Sequence, residues 1–174
     1  MDHEMTEQQS DKATTPAQTA AKDGDDDIDF TLIELLFFAY RDFISDPDAI
    51  LGPIGFGRAH HRVVHFVNRR PGLTVAELLD VLKITKQSLA RVLKQLIDTG
   101  YIVQVTGPTD RRQRQLYATE KGKALSLALA RPQSRRIRDA LANGGAGDRA
   151  AVERFLKAMV DPAHRRQIDN PPGA

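Results

Sequence analysis

The 174-residue chain contains no cysteine. Disulfides, thiolate metal sites and cysteine-based redox sensing are therefore excluded. It also lacks any long apolar run. The most apolar stretch, residues 28–44, is interrupted by Glu34, Arg41 and Asp42 and is too short to span a bilayer. The amino-terminal residues show no basic segment followed by an apolar one, so no secretory signal is read there. No paired carboxylates, nucleophile–base arrangement or phosphate-binding glycine loop stands out, so an enzyme is not expected and no cofactor is called. What is present is ordinary for a soluble domain: 41% hydrophobic and 28% charged residues, in a chain long enough to bury one sizeable core.

A net charge of +2 conceals an asymmetry. Residues 1–29 hold nine acidic and two basic residues, a balance of −7, while residues 30–174 hold 23 basic and 14 acidic, a balance of +9. The polar residues 1–27 read as a disordered acidic tail. The run Asp25-Asp26-Asp27 is either a solvating tail or a loose competitor for the basic surface. The basic remainder fits an anionic partner such as nucleic acid.

The most informative stretch runs from Leu73 to Gly122. Thr74 and Glu77 form a T-x-x-E capping box, with Leu73 and Leu78 as its hydrophobic staple, and the helix they start ends near Lys83. Thr85 is the N-cap of a second helix, with Ile84 and Leu89 as staple. Leu89, Val92, Leu93 and Leu96 follow core spacing. The opposite face carries Gln87, Arg91 and Lys94, flanked by Lys86, Ser88 and Ala90. Arginine can take guanine O6 and N7 together, and glutamine adenine N6 and N7, so this face suits a DNA major groove. Taken alone, it is also what a solvated amphipathic helix shows. Gly100 supplies the stop. Residues 101–105 and 113–117 then read as the two strands of a hairpin, with Gly107-Pro108 in the turn. Its tip is Asp110-Arg111-Arg112, with Arg114 just beyond. An arginine there can enter a narrow minor groove, and Asp110 can hold one arginine in place by a charge-assisted hydrogen bond. A solvated charged turn is the plainer reading. It loses ground because the basic helix and basic tip occur together, in order and at the right distance.

These residues resemble the MarR family of bacterial transcription regulators. Asp110-x-Arg112, Leu116, Thr119 and Gly122 follow the family pattern D-x-R-x-x-x-[LV]-x-L-T-x-x-G, with Ala118 replacing the usual leucine at a packing position. The resemblance covers about 50 residues by motif. It implies a mainly α fold: a winged helix-turn-helix with a small β-hairpin wing, flanked by N- and C-terminal dimerisation helices. The expected organisation is an acidic tail (1–27) and one domain (28–170). Within it, residues 56–118 form the DNA-binding region, and residues 28–45 and 119–168 the dimerisation helices.

The flanking residues fit that frame. Residues 28–44 are apolar on several faces and so need cover on several faces, most naturally from a second subunit. Residues 46–57 read as a loop, residues 56–68 as a helix. Thr119 can cap a helix through Ala130, with a kink or break at Pro132 and helical pattern resuming to Asn143. Asp148 caps a last helix carrying Val152, Phe155, Leu156, Met159 and Val160, ahead of a loose tail at residues 170–173. Arg135, Arg136 and Arg138 lie either near the DNA backbone or simply at the surface. His61 and His65 are spaced i, i+4, which can bind zinc. No glutamate stands between them as in H-E-x-x-H, so no metal site is called.

The expected function is a cytoplasmic homodimer that binds a palindromic double-stranded operator, most commonly as a repressor. Half-sites would lie about one turn (~10 bp) apart. Thr85 caps the recognition helix; Lys86, Gln87, Ser88 and Arg91 would read bases. Lys94, Arg111 and Arg114 would hold phosphates, and Arg112, oriented by Asp110, would enter the minor groove. The resemblance further implies a small-molecule effector between the dimer helices and the winged domain. Phe37, Tyr40 and Phe43, with His60 or His61, are its candidate lining, although the aromatics equally suit a dimer core. Two alternatives stay open: a metal or haem sensor using His60, His61 and His65, and a ligand-independent DNA-binding activator.

Overall fold

The computed structural model describes residues 28–107, 113–143 and 149–169. It is mainly helical, with a small antiparallel sheet. In chain order the elements are α1 (Phe30–Leu51), a 3-10 turn (Gly52–Ile54), α2 (Arg58–Arg69), β1 (Leu73–Thr74), α3 (Val75–Leu82) and α4 (Lys86–Asp98). Then come β2 (Ile102–Thr106), β3 (Arg114–Ala118), α5 (Glu120–Asn143), α6 (Arg149–Met159) and α7 (Pro162–Asp169).

Local chemistry sets the helix-turn-helix. The Thr74 backbone N–H donates to Glu77 Oε2 (2.8 Å), and the Glu77 N–H donates to Thr74 Oγ1 (3.3 Å), which closes the capping box at the start of α3. Lys83 ends α3 in the left-handed region (φ 49°), an uncommon conformation for a side chain with a Cβ. Its N–H donates to Leu79 O, and the chain turns directly into α4. Thr85 Oγ1 accepts the Ser88 N–H at 3.2 Å and so caps α4. Gly100 (φ +76°) follows the C-cap of α4, as the stop signal requires.

The sheet order is β1-β3-β2, with Leu73 opposite Leu116 and Gln104 opposite the same residue from the other side. The sheet has three strands where a two-stranded hairpin was expected. The extra strand is the two-residue β1, which exists only because β3 passes beside it. The T-x-x-G motif has a physical cause. Thr119 Oγ1 donates to Gly100 O (2.7 Å) and accepts the Gly122 N–H (3.1 Å), tying the start of α5 to the end of α4. A Cβ on Gly122 would lie 2.1 Å from Tyr101 O, so only glycine fits this crossing.

Two prolines fall inside helices where the sequence predicts interruptions. α1 runs through Pro47 to Leu51 rather than yielding to a loop at residue 46. Proline has no N–H for the carbonyl four residues earlier, here Phe43 O. Gln133 Nε2 of α5 donates to that carbonyl at 3.3 Å, so the helix continues without a buried orphan acceptor. α5 is likewise one 24-residue helix across Pro132, not two segments. At the C-terminal end the single expected helix is divided into α6 and α7, with Pro162 at the first position of α7. α2 begins two residues later than predicted, with Gly57 as its N-cap. The expected cap Asp148, the acidic tail and the residues after 169 lie outside the described residues.

The core gathers Leu51, Val63, Val67, Leu78, Leu89, Leu96, Ile102, Leu116 and Leu129, from nearly every element between the end of α1 and the middle of α5. It holds α4 by one face and leaves the other at the surface.

Candidate DNA interface

α4 is built from two opposed faces. Leu89, Val92, Leu93 and Leu96 are buried, and Lys86, Gln87, Ser88, Ala90, Arg91 and Lys94 are exposed. The exposed face therefore carries side chains that reach outward from a rigid rod. Not all are equally free. Thr85 Oγ1 donates to Ser88 Oγ (2.9 Å), so both hydroxyls take part in the cap. Lys94 Nζ lies 2.5 Å from Asp98 Oδ2, an exposed i, i+4 pair. Such pairs are weak in water, and a phosphate can compete for the ammonium.

In the wing, Arg114 faces Thr106 across the β2–β3 pair, and its Nη1 donates to Thr106 Oγ1 at 2.9 Å. The guanidinium is thus braced on the strand before the tip. Asp110, Arg111 and Arg112 lie outside the described residues. Of the other arginines, Arg136 pairs with Asp46 of α1 (3.1 Å), and Arg138 donates to Ser134 Oγ (3.1 Å).

The three histidines of α2 have different surroundings. The His60 ring lies parallel to Phe56 (centroids 4.5 Å apart), with Nδ1 accepting the Gly57 N–H (3.1 Å) and Nε2 beside Gln95 Oε1 (2.9 Å). Both nitrogens of His60 are thereby engaged inside the fold. Burial lowers the His61 pKa; Asp48 opposes that shift and Arg62 adds to it. Burial also lowers that of His65, reinforced by His61, Arg69 and Arg70. Among the described residues, no group of three or more histidines and carboxylates is placed to hold a metal ion. Of the other residues expected to line an effector site, Phe37 and Tyr40 are exposed on α1, while Phe43 is half-buried, as is His61 on α2. A cavity of about 480 Å³ between α1 and α6 is lined by other residues, among them Leu32, Leu36, Phe155 and Met159.

Two polar contacts escaped the sequence reading. The His60–Gln95 bond joins residues 35 apart, and the Arg114–Thr106 bond depends on strand register. Neither leaves a periodic signal.

The MarR family model matches residues 54–113, from the turn before α2 through the wing tip. The HTH-type transcriptional regulator PetP of Rhodobacter capsulatus is 51% identical over 134 residues, covering 77% of this chain and 81% of that protein. The chain belongs to the MarR family. Solved structures agree on the fold. A crystal structure of MarR superposes with a TM-score of 0.62 at 22% identity, covering 84% of this chain and 98% of that one. Streptococcus pneumoniae FabT, crystallised in complex with DNA, gives 0.65 at 17% identity, covering 74% and 92%. The present MarR-family chain is thus a DNA-binding transcriptional regulator and not an enzyme. Among its described residues no helix is long and apolar enough to cross a membrane.

Proposed function

We propose that this regulator acts in the cytoplasm as a homodimeric repressor on a palindromic operator, with α4 of each subunit in successive major grooves. The observation that carries the reading is the division of α4 into a fully packed apolar face and an exposed face bearing Lys86, Gln87, Ser88 and Arg91. Arg91 and Gln87 project from one side of the rod and read base edges. Thr85 and Ser88 set the start of the helix against the phosphate backbone. Lys94 and Arg114 hold phosphates, Arg114 from its brace on Thr106. Arg111 and Arg112 extend the wing contact, with Asp110 orienting Arg112. Dimer formation is supported by α1, whose residues from Phe30 to Arg41 are all exposed in the single chain although most are apolar. The proposed effector site is where α1 meets α2, near the half-buried Phe43 and His61. Phe37 and Tyr40 belong to the subunit interface beside it. Both ring nitrogens of His60 are engaged within the fold, so it offers that lining no free polar group.

The test is binding of the full chain to a duplex recovered by selection from random DNA, against a scrambled duplex at two salt concentrations. Arg91→Ala is expected to cost about 1–3 kcal/mol on the selected duplex and to relax its sequence preference. Normal binding by Arg91→Ala would exclude this docking of α4.

A further inference from the structure

We propose that His60 is a positioning residue for DNA recognition, clamping α4 to the loop between α1 and α2 through one fixed tautomer. The inference rests on α4 being the element that reads DNA. Its geometry is a closed circuit of hydrogen bonds. The Gly57 N–H donates to His60 Nδ1 (3.1 Å), so Nδ1 carries no proton. The ring proton is therefore on Nε2, which donates to Gln95 Oε1 at 2.9 Å. With Oε1 accepting, the Gln95 amide nitrogen faces the loop again and donates to Gly55 O (3.5 Å). The circuit starts and ends within residues 55–57 and reaches α4 only through Gln95.

Phe56 locks the ring plane. It lies parallel to His60, with an interplanar angle of 3°, and its other side meets Tyr101 edge-on (5.2 Å, 69°) at the entry to the wing. One residue of the loop thus supports both the histidine and the start of the wing.

Apolar packing by Leu89, Val92, Leu93 and Leu96 sets how deeply α4 sits but is non-directional. A hydrogen bond constrains direction. Gln95 is one turn after Arg91 and on the same side of the helix, so fixing Gln95 fixes the roll of the rod that presents Arg91. Placement to a fraction of an ångström is what base readout requires. The loop that carries the clamp is also the C-terminal exit of α1, so it joins the N-terminal helix directly to the DNA-reading helix.

Two substitutions separate the halves of the circuit. In His60→Asn the side-chain carbonyl takes the place of Nδ1 and keeps the Gly57 cap, but cannot reach Gln95. In His60→Gln the amide takes the place of Nε2 and keeps the bond to Gln95, but loses the cap. The full chain and both variants are titrated with the selected and scrambled duplexes, with Arg91→Ala in parallel and melting temperatures recorded. His60→Asn is expected to lose about 3- to 10-fold affinity for the selected duplex, the worth of one directional hydrogen bond, with scrambled-duplex binding unchanged. His60→Gln is expected to retain the selectivity. Long-range ¹H–¹⁵N spectra of the free protein are expected to show His60 as the Nε2–H tautomer. Full selectivity in His60→Asn, with Arg91→Ala impaired, overturns the role of His60 alone. Loss on both duplexes in proportion to lost thermal stability overturns it too, as does an Nδ1–H tautomer. An unimpaired Arg91→Ala overturns the reading of α4 itself and this inference with it.

Discussion

Between Ile44 and Leu129 the chain buries most of its large apolar side chains, whereas from Ile28 to Arg41 every described residue is exposed. Phe30, Leu35 and Phe37 are 61%, 58% and 62% exposed, and Phe155, Leu156 and Met159 of α6 are also uncovered. Both regions are mainly helical and rich in leucine. The difference is where the partner lies. The winged region closes on itself because α2, α3, α4, the sheet and the first half of α5 surround one cluster. Among the described residues no comparable layer covers the N-terminal half of α1. An apolar surface that extensive is characteristic of an association face. The winged core is thus a property of one chain, while the cover proposed for α1 is a second subunit.

The largest effect on this contrast is expected from Leu96→Ala, because Leu96 is fully buried in the winged core. A loss of about 2–5 kcal/mol is expected, measured by chemical denaturation. A loss below that range would mean the core is less self-contained than its burial indicates. The paired change Leu36→Glu with Phe37→Glu should act oppositely. Each lies on the exposed face of α1, so the winged fold should persist by circular dichroism while sedimentation shifts from dimer to monomer. Unchanged sedimentation would remove α1 from the interface. Gly122→Ala tests a join within the winged region, where the start of α5 crosses the end of α4. Its Cβ would meet Tyr101 O, so a loss of about 1–3 kcal/mol is expected in the same denaturation assay. The smallest effect is pH-dependent. His61 and His65 have folded pKa values lowered below 6.5, so the unfolded chain takes up protons first as pH falls. Their contribution to stability is complete above pH 6.5 and is lost as the pH falls through the lowered values. The melting temperature should therefore decline less below pH 6.5 in a His61→Asn, His65→Asn double variant than in the parent chain. Parallel declines would place the acid sensitivity elsewhere.

Legibility followed the range of the interactions. The start of α3 was readable because Thr74 and Glu77 satisfy each other within three residues. The same holds for Thr85 on α4 and for the stop at Gly100. The two faces of α4 were readable because helical periodicity is local. The motif around Thr119 and Gly122 was visible as a pattern, but its cause lies in the carbonyls of Gly100 and Tyr101. Pro47 misled because the carbonyl it leaves open, Phe43 O, is bonded by Gln133, ninety positions after Phe43. The partner of His60 is equally invisible locally, because Gln95 lies 35 positions further along the chain.

The amino-acid sequence by itself determined the caps, the turns, the polarity of each helix face and the family, since all of these depend on neighbours within a few residues or on a linear motif. Only the tertiary structure decided that α1 continues through Pro47, that Leu73 and Thr74 form a third strand, and that His60 of α2 bonds Gln95 of α4. Each of those outcomes depends on a hydrogen-bonding or packing partner that folding brings from a distant part of the chain, and local chemistry carries no record of it.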